Sequence, residues 1–172
     1  IETSNGNVLL GSDNGVIKGN SSLSNWEINS TLGTVYTFTK SDDGLTILAG
    51  TSKGIYATSN NGLSWSQQSS GMGNDKKVIS LASHPDGYFI AGTQDNGFYY
   101  SSESGFVWTQ LNDGSESNYA KSLAISRTGN ILMGTDFAFY YLKDINSTFE
   151  KRNEGIGTRT VNGFAMLQQR GV

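Results

Sequence analysis

The chain has 172 residues, a size that fits one domain. Its net charge of -3 and its twelve singly scattered basic residues leave no positive stripe with which to track a phosphate backbone, which argues against nucleic acid as a partner. Zero cysteines exclude disulfides, zinc ribbons and thiol chemistry, and no apolar run nears the roughly 18 residues a membrane helix needs, the longest clear one being 137–142.

Twenty-two glycines and one proline, beside eight Tyr, eight Phe and three Trp, describe tight turns joined by aromatic-rich strands. Taken in chain order, the first repeat (1–34) carries Leu9-Leu10-Gly11-Ser12, a turn at Asp13-Asn14-Gly15, and Trp26. It opens with Ile1 rather than Met, part-way through a repeat, so the expectation is that a leader or a longer N-terminal region has been removed. The second repeat (35–77) carries Leu48-Ala49-Gly50-Thr51 and Trp65. The third (78–120) is the clearest: Ile90-Ala91-Gly92-Thr93 and Trp108 lie among four predicted strands at 78–82, 88–92, 97–100 and 107–111. The breaks between them end in glycine, which takes the positive φ of tight hairpins, so the strands meander antiparallel. The fourth repeat (121–160) carries Leu132-Met133-Gly134-Thr135, and Phe149 stands where the others have tryptophan; Asp136-Phe137-Ala138-Phe139 replaces the glycine turn. Residues 161–172 read as the first strand of a further or closing blade.

The glycines recur at spacings of 39, 42 and 42, and the aromatic anchors at 39, 43 and 41. Two independent anchors thus keep one period of about 40 residues. No segment holds an apolar period of 3.6 over three turns, which disfavours helix. A lone four-stranded sheet cannot bury both faces, and stacking such sheets around an axis does so. The reading is an all-β chain of four-stranded β-propeller blades, standing alone or as part of a ring of six to eight; a β-sandwich or β-solenoid is the alternative.

Before each aromatic anchor stands a short polar segment: Thr58-Ser59-Asn60-Asn61-Gly62-Leu63-Ser64-Trp65, then Ser101-Ser102-Glu103-Ser104-Gly105-Phe106-Val107-Trp108. A weaker copy places Asp144 and Thr148 ahead of Phe149, while 19–26 keeps little but Trp26. These segments resemble the Asp-box, the Ser-x-Asp-x-Gly-x-Thr-Trp motif of BNR-repeat propellers of the sialidase-like, photosystem-assembly-factor-like and sortilin-like kinds. The resemblance implies a structural device: an acceptor side chain ties down the turn between third and fourth strands while the aromatic residue anchors the fourth. Asn60 and Glu103 stand in place of the usual aspartate and modify that bonding. A sialidase would also need an arginine cluster, a tyrosine nucleophile with its glutamate and an acid/base aspartate. Only Arg127, Arg152, Arg159 and Arg170 are present, and the Arg-Ile-Pro sequence is missing.

Other chemistry is thinly supplied. His84 is the only histidine and sits in a His-Pro-Asp-Gly sequence, which reads as a surface turn. Asp42, Asp43, Asp86 and Asp95 lie in glycine turns, where Asp is expected for backbone reasons rather than for a carboxylate pair. Ser12-Asp13-Asn14-Gly15 and Gln94-Asp95-Asn96-Gly97 offer oxygen ligands without a calcium-loop spacing, and two-residue hairpin turns account for both. No catalytic residue, metal or cofactor is assigned. Three sequons, at Asn20, Asn29 and Asn146, matter only in a secreted eukaryotic protein.

If the sheets radiate as blades, the loops between second and third strands share one face with the connections to the next blade, where ligands most often bind. That face gathers Asp13, Asn14, Lys53, Gln94, Asp95, Asn96, Asp136 and Phe137, with Met72, Asn74, Asp75, Lys76, Lys77, Glu116, Asn118, Tyr119 and Arg159 from the longer connections. Amides and carboxylates beside Tyr119 and Phe137 suit a glycan or a protein surface. The function expected is a non-enzymatic binding or scaffold module, secreted, periplasmic or at the cell surface; its partners are a glycan or protein, with further blades of a parent chain or a second copy. The rival is a fragment of a carbohydrate-active enzyme, glycoside hydrolase or sialidase-like, whose catalytic residues lie outside this chain.

Overall fold

The computed structural model describes residues 1–72, 76–102, 105–111 and 118–165. They form four antiparallel sheets in chain order and no helix. Sheet 1 is β1 (Val8–Ser12), β2 (Gly15–Gly19) and β3 (Trp26–Asn29). Sheet 2 is β4 (Val35–Lys40), β5 (Ile47–Thr51), β6 (Gly54–Thr58) and β7 (Ser66–Gln67). Sheet 3 runs β8 (Val78–Ser83), β9 (Phe89–Thr93), β10 (Phe98–Ser101) and β11 (Thr109–Gln110); sheet 4 runs β12 (Ser122–Ile125), β13 (Ile131–Gly134), β14 (Phe139–Leu142) and β15 (Glu150–Lys151).

Each sheet is a meander, as the glycine-ended breaks predict. Sheet 1 has three strands where four were expected. In the innermost place stands an isolated bridge between Glu2 and Val8, with Ile1 and Leu9 exchanging backbone hydrogen bonds of 2.8 Å. The outermost strands of sheets 2 to 4 are only two residues long, shorter than the predicted 107–111. The reason is visible at Trp108, whose backbone N–H leaves its own sheet and donates to Ser70 O of the previous connection at 2.8 Å.

The alternation of side chains across a strand builds the interior. β5 sends Ile47 and Ala49 toward sheet 1 and Leu48 toward sheet 3. β9 repeats the pattern, with Phe89 and Ala91 against sheet 2 and Ile90 against sheet 4. Both strands are therefore buried at all five positions. Three apolar layers result, one at each junction of neighbouring sheets, and the stack does not close on itself among the described residues.

Close approach of successive sheets explains the recurring glycine. A Cβ on Gly11 would lie 2.8 Å from Val35 O, on Gly50 2.8 Å from Val78 O, on Gly92 2.4 Å from Ala120 O and on Gly134 2.7 Å from Val161 O. In the first three repeats the middle strand's glycine thus makes room for the backbone that enters the next inner strand, and in the fourth Val161 takes the corresponding place.

Candidate functional site

The hydroxyl residue after each glycine shapes the turn between second and third strands. Thr51 Oγ1 donates to Gly54 O at 2.9 Å and accepts the Lys53 N–H at 3.0 Å. Ser12 does the same with Gly15 O and the Asn14 N–H, and Thr93 with Gly97 O and the Asn96 N–H. In the fourth repeat Thr135 bonds Ala138 O and the N–H groups of Phe137 and Ala138, so the turn keeps its bonding without glycine. Thr51, Thr93 and Thr135 are all buried.

These turns hold the expected loop-face residues. Asp13-Asn14 is a two-residue hairpin loop, as predicted, but β9 and β10 are joined by the four residues 94–97, so the hairpin expected there is longer. Each turn leans on a connection between sheets. Thr34 Oγ1 donates to Asp13 O at 3.1 Å and Lys53 Nζ to Thr31 O at 3.1 Å, so residues 31–34 tie together the turns of sheets 1 and 2. Lys76 Nζ donates to Asn96 Oδ1, the Gln94 N–H to Lys77 O at 2.9 Å and the Gly97 N–H to Asn118 O at 2.7 Å. Thr160 Oγ1 donates to Asp136 O at 3.0 Å. Turns and connections therefore occupy one end of the stack, beside one another in every repeat.

On that end Asp13, Asn14, Lys53, Asp95 and Arg159 are exposed, Asn96, Asp136 and Tyr119 are half-buried, and Phe137 is 54% exposed. Lys121 Nζ lies 5.9 Å from the centre of the Tyr119 ring, within cation–π reach. Met72 does not belong there. It is buried between sheets 2 and 3, because the connection after β7 turns inward to cover Trp108. Asn74, Asp75 and Glu116 lie outside the described residues.

At the other end lie the turns that resemble the Asp-box. Asn60 Oδ1 accepts the Ser64 N–H at 3.0 Å and the Thr58 hydroxyl at 2.8 Å, while Thr58 Oγ1 accepts the Gly62 N–H at 3.1 Å. Ser101 Oγ accepts the Gly105 N–H in the same way; Glu103 falls outside the described residues. Asp144 Oδ1 accepts the Asn146 N–H at 2.9 Å, and hydrogen bonds from Ser147 and Asn146 hold its carboxyl below the ordinary value. The first repeat keeps more than its sequence suggests: Asn20 Oδ1 accepts the Ser24 and Asn25 N–H groups. The signal was available in Asn20 itself, displaced by one residue relative to Trp26.

The aromatic anchors are not equivalent. Trp108 is 2% exposed and its Nε1–H lies 2.8 Å from Gln68 O of the preceding sheet and 2.9 Å from Gly105 O. Phe149 packs edge-on to Tyr140. Trp65 packs on Phe38, and its buried Nε1–H meets no acceptor among the described residues. Trp26 is 44% exposed.

His84 corrects the sequence reading, for it is not a surface residue. It is 6% exposed, stacked on Tyr88 with ring centres 4.0 Å apart. Nδ1 accepts the Asp86 N–H at 3.1 Å, which leaves Nε2–H to donate to Gly129 O of sheet 4 at 2.7 Å. Burial first, then the carboxylates of Asp86 and Asp144, push the Tyr88 phenol up to about 12. Among the described residues no three His, Asp or Glu side chains stand close enough to hold a metal ion. No helix there is long and apolar enough to cross a membrane.

No protein-family model matches the chain, and no curated protein matches it. Solved structures do. One is an ancestral GH74 enzyme, at 16% identity over 86% of this chain and 22% of that one, TM-score 0.70. Another is the extracellular domain assigned to a hybrid two-component system, BT3049, of B. thetaiotaomicron, at 17% identity over 95% and 23%, TM-score 0.78. A third is YCF48 bound to D1 peptide, at 15% identity over 88% and 51%, TM-score 0.65. This chain is built of β-propeller blades. It spans less than a quarter of the first two structures and about half of the third, and at these identities the likeness is one of fold.

Proposed function

We propose that the chain is a non-enzymatic binding or scaffold module that recognises a protein segment or a glycan through the end of the blades where second hairpin turns meet inter-blade connections. The observation that carries this reading is Phe137, a 54% exposed aromatic held in a turn fixed by Thr135 and by Asn153, whose Nδ2–H donates to Phe137 O at 3.2 Å. A rigidly placed exposed ring beside Asp136, with Asp13, Asn14, Lys53, Asp95, Asn96, Tyr119 and Arg159 on the same end, supplies a stacking surface and directional hydrogen bonds. A peptide in YCF48 and the extracellular setting of the BT3049 domain support a protein partner and a secreted, periplasmic or cell-surface location. The turn chemistry at Asn60 and Asp144 supports kinship with Asp-box repeats.

Residues 161–165 then begin a further or closing blade, the rest of the expected strand, 166–172, lying outside the described residues, because Val161 repeats what Ala120 does. Ser122 Oγ donates to Val161 O at 2.8 Å as Ser80 Oγ donates to Ala120 O at 2.9 Å. The test of function is capture on peptide and glycan arrays by the wild-type chain and by Phe137→Ala combined with Asp95→Ala. Specific capture lost roughly tenfold in the variant supports the reading. Capture unchanged in the variant, or hydrolysis of glycosides by this chain, overturns it.

A further inference from the structure

A depression of about 240 Å³ opens on the flank of blade 2, away from the loop end, where the Asp-box-like turn of blade 3 brings Phe106 over it. Trp65 lines it with Phe106, which is 56% exposed. Among the described residues no charged side chain lines this depression. Its counterpart beside blade 1 holds the Lys18–Glu27 ion pair, and the one on blade 4 is walled by Glu150, Lys151, Arg152 and Glu154. Of these three depressions, the one on blade 2 alone has a wall free of charged side chains among the described residues.

The remaining wall is hydroxyl and amide, with bonding capacity left over. Ser64 Oγ accepts from Asn60 Nδ2 at 2.8 Å and Ser66 Oγ from Gln68 Nε2 at 3.1 Å, so each keeps its own O–H to donate. Gln68 Oε1 and the hydroxyls of Thr46 and Ser59 have no partner among the described residues. The Trp65 indole lacks the two carbonyls that hold Trp108, which leaves its ring the freer of the two to adjust to an occupant.

We propose that this flank depression binds one uncharged pyranose ring, with the C–H face of the sugar on Phe106 and Trp65 and its hydroxyls on Ser64, Ser66 and Gln68. An anion would find no cation to pair with. An apolar side chain would cover the hydroxyls without bonding them, at a desolvation cost. A neutral sugar presents both an apolar face and alternating donors and acceptors. The volume suits a single ring, below the roughly 300–1,000 Å³ of sites for larger ligands. This site is separate from the loop end and stands or falls apart from the function proposed there.

The test is titration of the chain with methyl glucoside, methyl galactoside, methyl mannoside and N-acetylglucosamine, followed by heteronuclear NMR of the indole and side-chain amide resonances, with glucuronate as the charged comparison. The expected result is a saturable shift of the Trp65 indole and Gln68 amide signals by at least one neutral sugar, with Trp108 unmoved and glucuronate weaker. Phe106→Ala and, separately, Gln68→Ala weaken it roughly tenfold; both side chains sit at the surface, and an unmoved Trp108 signal certifies the fold. Absence of a saturable shift at tens of millimolar for all four sugars overturns the proposal. So do shifts confined to the loop end, or an affinity indifferent to both substitutions.

Discussion

Gly92 shows how a single hydrogen atom in place of a side chain sets the distance between blades. A Cβ there would meet Ser80 Oγ at 2.2 Å and Ala120 O at 2.4 Å, and the second of these is backbone that cannot step aside. Gly92→Ala is expected to destabilise the chain by about 3 kcal/mol, the upper end of overpacking effects. Gly163→Ala, where nothing lies within 4 Å, serves as the control with no comparable loss in urea unfolding. The neighbouring Thr93 carries two bonds on one buried hydroxyl, so Thr93→Val leaves the Asn96 N–H without its acceptor, while Gly97 O keeps the residue-93 backbone N–H at 3.0 Å, and costs about 1 kcal/mol in the same measurement. Tyr88 gives a pH signature. Its folded pKa of about 12 lies above the roughly 10 of an unfolded tyrosine, so the unfolded chain releases the proton first. The stability contributed by Tyr88 is complete below pH of about 10 and is lost as pH rises toward about 12. Unfolding midpoints across that window, compared with Tyr88→Phe, check the sign. Gly92 and Thr93 were legible in the sequence because their reasons recur every forty residues. His84 was not, since the carbonyl that buries it, Gly129 O, lies 45 residues away in a turn of ordinary composition.

At the scale of the element, the outer edges of blades 2 to 4 are fastened less by their own fourth strands than by the aromatic residue before each. β7, β11 and β15 have two residues apiece, too few for ladder bonds to hold an edge. In blade 3 the work falls to Trp108, which joins the edge to Gln68 O and Ser70 O of blade 2. In blade 2 the ring of Trp65 packs but its N–H is unpartnered among the described residues. The same substitution should therefore cost unequally: Trp108→Phe about 2 kcal/mol, from the lost bonds and the acceptors left behind, and Trp65→Phe under about 1 kcal/mol. Equal losses by thermal unfolding would mean that ring packing alone fastens the edge. Sequence placed both tryptophans at one repeat position and gave no means to separate them. The difference depends on the backbone of the preceding blade, which no local pattern encodes. Asn20 was hidden for a related reason, as one extra residue between the acceptor and Trp26 broke the spacing while leaving the bonding intact.

For the whole molecule, the three internal junctions set out what an end face lacks. At each junction the middle strand of one blade presents a pair of apolar residues to the blade before it, as Ile47 with Ala49 and Phe89 with Ala91 do, all nearly excluded from water. The matching positions of blade 1 are Val8 and Leu10, and pairing aligns Leu10 with Ile17 and Ile17 with Ile28 in one row across the sheet. Leu10 is 42% exposed, Trp26 44% and Ile28 66%. An apolar sheet face of this kind, bordered by Glu2 opposite Val8, is what a blade buries against its neighbour, and exposed contiguous apolar surface drives association. The 18.5 kDa chain should therefore show a concentration-dependent mass above the monomer by light scattering. Ile28→Lys with Leu10→Lys, both on the solvent side, should return it to a monomer with the unfolding midpoint little changed. A wild-type monomer at all concentrations would mean that this face is satisfied in solution by the chain itself.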